Sequence, residues 1–577
     1  MTVKNLFTRI LGTFLSLTAL VCAAEPEPVG IRVKLSLGDY LRMVVQENET
    51  IQAQLLATES TRQRALAERG YYEPDFVASA TRESNHRPNT VEQQRNLSGV
   101  PILDERNNLY DAGVEAQTST GAKVHLGYTL NKYNNNLPPL TPNGVNIPTN
   151  ERTNEWQSFA GLTITQPLLK NGGRVAALAN LRIAAINSDA SFQEYRRQLM
   201  VTLSQAESAY WGLYFAQEQL RFLDESVSVA ESLFNDSREK VKAGKGADLD
   251  VLEAEAGVAL RRTKRNEAQQ KFAEALGQLL TFAGKSPRDT GVVYVAADDP
   301  EFEVPRPAYG EAWGNALALN PDYLIQKKKY EEAIVRLKLA QNQRLPELNL
   351  KGSYGLNGLG DSPAESFDEV THGGFASWSL GVEMRIPLGG GIRGDHEYAA
   401  MIASVKQVQM QTQGMETQLA NALNTAIKKM KTTRATADDY RTMIHFNEDL
   451  LKTERERVDA GKVEGRRVLE VEAGLYEVKQ GLADAQVQTR RAVLELYLAE
   501  GSILKRRGLE FTPADLRDQT VALLGWEKKT SKGGKTAKET AKGAGKGIAK
   551  PVAPKVRFAP SRLDLRDESP EEQRVED

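Results

Sequence analysis

The stretch Trp378-Ser379-Leu380-Gly381-Val382-Glu383-Met384-Arg385-Ile386 decides the fold. Trp378, Leu380, Val382, Met384 and Ile386 fall on one side of an extended chain, and Ser377, Ser379, Gly381, Glu383 and Arg385 on the other. Alternate side chains of a strand point to opposite faces, so the segment predicts a strand with one apolar and one charged face. Ala160, Leu162 and Ile164 oppose Gly161, Thr163 and Thr165 in the same way. A returning strand sets Leu348, Leu350, Tyr354 and Leu356 against Asn349, Lys351, Ser353 and Asn357. Such a sheet either lies on a protein core or separates lipid from a water-filled lumen.

Composition narrows the choice. The 577 residues include 74 Lys+Arg, 76 Asp+Glu, one Cys and five His, and the mean hydropathy is -0.46. An ordinary soluble chain of this length would hold roughly three or four domains. A polytopic helical membrane protein is excluded, because each span needs about 20 mostly apolar residues. A net charge of -2 gives no reason to expect nucleic acid as a partner. One cysteine excludes a disulfide framework, a Cys-rich zinc site and a CxxC motif. His86, His125, His372, His396 and His445 have no metal-ligand spacing, and no nucleophile elbow, Walker loop or dinucleotide fingerprint is present. The sequence therefore predicts neither catalytic residues nor a metal or cofactor, and no enzyme.

Lys4 and Arg9, the apolar run Ile10 to Val21, and Cys22-Ala23-Ala24 have the layout of a secretory signal peptide over residues 1–24. Cleavage after Ala24 removes the only cysteine; a lipidated Cys22 is the alternative. Either way the chain is exported.

The exported chain repeats itself. Leu37-Gly38-Asp39-Tyr40 through Asn48 matches Tyr309-Gly310-Glu311-Ala312 through Asn320 at a shift of 272, as Pro74-Asp75-Phe76 matches Pro346-Glu347-Leu348. Gly161 and Pro167 match Gly381 and Pro387 at 220, and Val241 to Lys245 matches Val458 to Lys462 at 217. The first repeat spans 35–285 and the second 309–505, and an insertion of about 52 residues, within about 82–155, widens the first.

Each repeat reads helix, strands, very long helix, tight turn, helix. No proline interrupts Gly173 to Lys242, and Leu199, Leu203, Ala206, Tyr210, Leu213, Gln217, Leu220, Leu223, Val227, Ala230 and Phe234 follow coiled-coil spacing. Some 70 helical residues make a rod on the order of 100 Å long. The second runs from Gly394 to Ala460. Export and such rods favour the lipid-facing sheet.

The insertion adds Tyr110 to Gln117 and Val124 to Leu130, two alternating segments around Ser119-Thr120-Gly121-Ala122, with polar loops expected at Glu83 to Asn108 and Asn134 to Glu155. Four strands in the first repeat and two in the second cannot close alone, since the smallest common barrel has about eight. Three copies would supply an 18-strand barrel around an aqueous channel. If the insertion were an extracellular hairpin, twelve strands would remain.

The duplicated strand-Pro-Gly-helix passages, Thr165-Gln166-Pro167-Leu168-Leu169 to Gly172-Gly173 and Arg385-Ile386-Pro387-Leu388-Gly389-Gly390, resemble the TolC-like outer-membrane efflux family. So do two helix-tip turns, Lys242-Ala243-Gly244-Lys245 running into Asp250 to Glu255 and Asp459-Ala460-Gly461-Lys462 running into Val468 to Glu472. The resemblance covers about Leu35 to Leu509. It implies an α+β membrane protein: a homotrimer whose transmembrane β-barrel in outer-membrane lipid continues into a long periplasmic α-helical coiled-coil barrel. It implies a passive exit duct of a tripartite efflux or type I secretion system, fed by an inner-membrane pump and a periplasmic adaptor. Ala243, Gly244, Lys245, Ala460, Gly461 and Lys462 would be the adaptor-docking tips, and Pro167 and Pro387 the strand-to-helix junctions. At the entrance, Glu470 matches one acidic position of the family, but Arg467 replaces the other. Asp250 is the repeat counterpart of Arg467, so opposite charges on neighbouring tips could hold the entrance closed.

From Lys528 to Arg557 nine Lys and one Arg face Glu539 alone, and from Asp564 to Asp577 seven acids face Arg566 and Arg574. Segregated charge and few apolar residues predict that the tail, 510–577, is mostly disordered, its basic block offering a contact to an anionic cell-wall or membrane surface. A different class of function, a non-conducting periplasmic coiled-coil scaffold that tethers the envelope, explains the rods but leaves the alternating strands without a role.

Overall fold

The computed structural model describes residues 31–97, 99–137, 153–244, 247–286, 292–300, 308–460 and 465–525, with positions 305 and 462. The expected signal segment with Cys22, residues 138–152 of the expected polar loop, Lys245, Gly461 and the charged tail beyond Gly525 lie outside the described residues.

The first repeat comprises β1 (Ile31–Leu35), α1 (Leu37–Glu47), α2 (Glu49–Ala67), β2 (Asp75–Pro88), α3 (Val91–Asn96), β3 (Ile102–Gln117), β4 (Lys123–Asn135), β5 (Thr153–Pro167), α4 (Gly173–Ala177), α5 (Ala179–Lys242) and α6 (Asp248–Phe282). β6 (Val292–Ala296) follows. The second repeat comprises α7 (Tyr309–Leu319), α8 (Pro321–Gln343), β7 (Glu347–Gly360), α9 (Pro363–His372), β8 (Ala376–Arg385), α10 (Ile392–Asp459) and α11 (Gly465–Glu500), and α12 (Ile503–Arg507) and α13 (Pro513–Leu524) end it. At a shift of 272, α1 falls on α7 and β2 on β7, residue for residue.

The long rods are α5, of 64 residues, and α10, of 68. At about 1.5 Å per residue each approaches 100 Å. α5 buries Leu199, Leu203, Ala206, Tyr210, Leu213, Leu223 and Ala230 of the expected seam. Its buried polar residues are Thr202, Glu207, Gln219 and Ser226, whereas Gln217 is only half-buried.

Six strands form one antiparallel sheet in the order β2-β3-β4-β5-β7-β8. The inserted β3 and β4 lie between β2 and β5 within the sheet, so the extracellular-hairpin alternative fails. Trp378, Tyr354, Leu162, Leu126, Val114 and Phe76 are successive cross-strand partners, one per strand, and all are exposed. The other face is polar, with Lys351 Nζ 2.5 Å from Glu383 Oε2 and Arg385 Nη1 3.6 Å from Glu347 Oε2. On that face rings lie flat over glycines: a Cβ at Gly161 or Gly355 would strike Phe159, and one at Gly113 or Gly127 would strike His125.

Two sequence expectations need correction here. The segment Glu83 to Asn108 is not a polar loop: β2 runs to Pro88, α3 follows, and β3 begins at Ile102, paired with Pro88. Backbone pairing continues although both faces are mostly polar here, Ile102 and Leu103 excepted. The tail does not begin at 510: Thr512 caps α13 through the Asp515 amide, and Leu516 and Thr520 are buried. This helix packs beside Leu55, Thr58 and Arg62 of α2.

α9 lies on the apolar side of the sheet. The Ser366 carbonyl accepts from Ser158 Oγ at 2.7 Å, Ser366 Oγ is 2.6 Å from Ser158 Oγ, and the Phe367 ring meets Tyr128 edge-on at 5.8 Å. Gly358 and Gly360 make room for its backbone. Ser158, Tyr128 and Gly358 share their face with Leu126, Leu162 and Trp378, so the helix covers part of the apolar face.

Below the sheet, the main core gathers Tyr40, Leu41, Leu199, Leu203, Tyr210, Trp211, Leu279 and Leu494. β1 and β6 pair in parallel over it. The Tyr210 hydroxyl lies 2.9 Å from Leu35 O and 2.6 Å from Asp298 Oδ2, and the same carboxylate oxygen accepts from Leu37 N at 2.6 Å.

Candidate functional site: helix tips and strand-to-helix junctions

The first tip is the reversal from α5 into α6. Ala243 N donates to Glu239 O at 3.0 Å, and Gly244, at φ +71°, donates to Val241 O at 2.9 Å. The left-handed conformation ends α5 at once, and glycine adopts it without a Cβ penalty. Asp250 reaches back so that its Oδ2 accepts from Ala247 N at 3.0 Å. Asp248 and Asp250 thus place negative charge at the positive end of the α6 dipole.

The second tip reverses α10 into α11. Ala460 N donates to Glu456 O at 3.1 Å and Lys462 N to Arg457 O at 2.9 Å. Here the first turn is basic, which the dipole disfavours. Glu470 offsets this: Arg466 Nε is 3.3 Å from its Oε1 and Arg467 Nη1 is 3.1 Å from its Oε2. In one chain, then, Arg467 pairs with Glu470, while Asp250 caps its own helix.

Two features escaped the sequence reading. Leu249 and Leu252 are exposed just above the first tip, three residues apart on the side of α6 away from buried Ala254 and Val258. Their spacing was the available signal. Arg261 of α6, almost buried, ties three helices: its Nε donates to Ser226 Oγ of α5 at 3.1 Å, and its Nη2 donates to Leu469 O at 3.4 Å and lies 3.7 Å from Glu472 Oε2, both on α11. Burial pushes the Glu472 carboxyl up, opposed by Arg261 and Arg455. No local spacing marks Arg261, because its partners are distant in sequence.

At the junctions, Pro167 is the last paired residue of β5, opposite Asn349. Beyond it Leu168 N still donates to Leu348 O at 2.8 Å and Lys170 N to Pro346 O at 3.3 Å. Asn171, at φ +63°, is held by Asn342 and Gln343: its N donates to Asn342 Oδ1 at 2.7 Å and its Oδ1 accepts from Gln343 at 2.6 Å. Pro387 leads instead to Gly390 and Gly391, both at positive φ, and to a fully exposed Leu388.

Among the described residues no helix is long and apolar enough to cross a bilayer, and no cluster of His, Cys, Asp and Glu is arranged to hold a metal ion. The exposed apolar row therefore belongs to the sheet. Residues 40–285 and 313–502 match the family model described as outer membrane efflux protein.

The chain belongs to the outer membrane efflux protein family.

The match runs through both repeats and bears out the resemblance carried by the duplicated motifs. Alkaline protease secretion protein AprF of Pseudomonas aeruginosa is 22% identical over 368 residues, 63% of this chain and 73% of that one. Probable efflux pump outer membrane protein TtgC of Pseudomonas putida is 20% identical over 333 residues, 57% of this chain and 66% of that one. The Campylobacter jejuni CmeC outer membrane channel shares the fold at a TM-score of 0.56 and 15% identity, over 84% of this chain and 88% of that one. As an outer membrane efflux protein, the chain is an outer-membrane channel of the efflux and type I secretion class, with a large periplasmic portion.

Proposed function

We propose that three copies close their sheets into one 18-strand barrel that continues into the helical rods, and that this homotrimer is a passive exit duct from periplasm to exterior. One observation carries the reading. The six-stranded sheet has an exposed apolar face, a charged opposite face and two open edges, at β2 and β8. Unpaired edges are not tolerated in lipid, where each orphaned backbone group costs several kcal/mol. The polar face then lines water.

The energy for transport comes from an inner-membrane pump, and a periplasmic adaptor joins that pump to the duct. The adaptor docks on the tip turns, Ala243-Gly244-Lys245 and Ala460-Gly461-Lys462, with exposed Leu249 and Leu252 beside the first. The entrance lies among Asp250, Arg467 and Glu470, and Pro167 and Pro387 mark where wall turns into rod. Outer-membrane extracts should yield a trimer of heat-modifiable mobility that conducts ions in planar bilayers. A monomeric periplasmic product without conductance would overturn the duct and restore the scaffold.

A further inference from the structure

The two repeats meet along β5 and β7, and each strand of that joint has a counterpart at an open edge. β5 corresponds to β8 at a shift of 220 and β7 to β2 at a shift of 272. We propose that the next copy of this chain pairs with β8 through its own β2, in the register that β5 and β7 already use. The proposal rests on the barrel reading above and adds a residue-by-residue joint to it.

Carrying the pair Gly161 and Gly355 through the two shifts sets Gly381 opposite Glu83 of the next copy. The same rule sets Trp378 opposite His86, Ser379 opposite Asn85, Arg385 opposite Ser79 and Leu388 opposite Phe76, each partner in the next copy. Side chains stay on their proper faces, since Trp378 and His86 both belong to the outer row and Ser379 and Asn85 to the inner one.

Three further observations fit this register. Inside the chain, Leu168 N bonds Leu348 O below Pro167; the counterparts, Leu388 and Phe76, are bare, at 103% and 74% exposure. Every residue of β8 is exposed, and so is nearly every residue of β2, although both match strands that are mostly half-buried. Lastly, the outer row runs from Trp378 to Phe76 within one copy, whereas the joint sets Trp378 against His86, ten residues farther along β2. Three such offsets give a closed sheet of 18 strands with a stagger of about 30 residues. With roughly 3.3 Å per residue and 4.8 Å between strands, the strands tilt by roughly 45–50° and the wall is about 40 Å across. That tilt is slightly steeper than the usual range of about 35–45°.

The helices repeat the pattern. α8 packs against both α5 and α10, while its counterpart α2 packs against α5. By the same rule the other side of α2 receives α10 of the neighbouring copy, whose Ile402 and Met410 stand exposed in the single chain.

Disulfide trapping tests the register. The full chain carrying Ser379→Cys and Asn85→Cys, oxidised in outer membranes, should run on a heated non-reducing gel as covalent dimers and trimers. Each single variant reports any background from Cys22, the one native cysteine. The slipped pair Ser379→Cys with Arg87→Cys should cross-link at least tenfold less. An intact trimer on the unheated gel with the slipped pair linking as well or better would overturn the register alone. Absence of a trimer in the unheated wild type would overturn the barrel reading beneath it.

Discussion

Asn48 and Asn320 hold the same position in the two halves of the molecule and make the same bonds. Asn48 Oδ1 accepts from Ile51 N at 3.1 Å and its Nδ2 donates to Phe282 O at 3.0 Å. Asn320 Oδ1 accepts from Tyr323 N at 3.1 Å and its Nδ2 donates to Ala499 O at 3.0 Å. Each caps the second helix of its repeat and staples it to the end of that repeat's returning helix. Gly284 and Gly501, both at positive φ, let the backbones come this close. Losing an N-cap costs about 1 kcal/mol, and orphaning a partly buried carbonyl adds about 1–2. Asn48→Ala and Asn320→Ala should therefore each lower unfolding stability in urea by about 2–3 kcal/mol. Asn320→Asp, which keeps the cap but not the donor, should fall between wild type and Ala.

The Glu472 carboxyl is raised by burial, so between its unfolded and folded values the folded chain binds more protons than the unfolded one. Its contribution to stability is thus full below the unfolded carboxylate value and is lost as pH rises through the folded value. Replacing it with glutamine removes that dependence, while Arg261 keeps its bonds to Ser226 and Leu469. The urea midpoint of wild type should drop more from pH 4 to pH 8 than that of Glu472→Gln. Parallel profiles would show that Glu472 does not titrate differently on folding.

At the proposed entrance, Arg467 lies against Glu470 and leaves Asp250 to its own helix. Arg467→Asp sets three acids around the opening and removes the only charge that Asp250 could attract across a tip-to-tip contact from that position. Exposed pairs contribute only about 0–1 kcal/mol, so the fold should stand while the closed state weakens. Conductance of single channels in planar bilayers should rise. An unchanged closed state would dispose of the latch.

Truncation separates the end of the fold from the charged tail. Deleting residues 528–577 should leave the heat-modifiable trimer intact, because the last described helix ends at Leu524. Deleting from residue 510 also removes α13 and uncovers Leu55 and Thr58 of α2. That variant should lose its unheated trimer band at a lower temperature.

On the apolar face of the sheet, Gly358 faces the Ser366 carbonyl so closely that a Cβ has no room. Gly358→Val should lift α9 from the sheet and expose Ser366 and Val370, read as faster protease cleavage of intact cells between β7 and β8. Gly352→Val, on the same strand with only Leu380 within 4 Å of the added Cβ, is the matched control.

Much of this architecture was legible because the sequence states it twice. β2 and β7 coincide under the same shift that aligns Pro74 with Pro346, and alternation identified the outward row from Trp378 to Ile386. Alternation failed at the far strand ends: around Ile102 to Asn107 the sequence is mostly polar on both faces although Leu103 and Asn107 are buried, and only hydrogen bonding to β2 reveals the strand. α9 was missed, although Ser362 with Glu365 three residues on is a helix-start signature, and Ser362 Oγ does accept from Glu365 N at 3.3 Å. The tie made by Arg261 was beyond reach, since it depends on three helices converging from separate parts of the chain.

The parallel pair β1 and β6 joins Ile31 to Val292, and Leu37 N meets Asp298 across 261 residues. Forming such a contact requires closing a loop that contains the entire first repeat, and distant contacts of this kind are slow to form. During export the first strand therefore waits, unpaired, until more than half of the polypeptide has emerged. Tyr210, whose hydroxyl donates to Asp298 Oδ2, waits with it. The order of synthesis thus leaves the first repeat incomplete until the linker arrives, a window in which the exposed edge needs protection from aggregation.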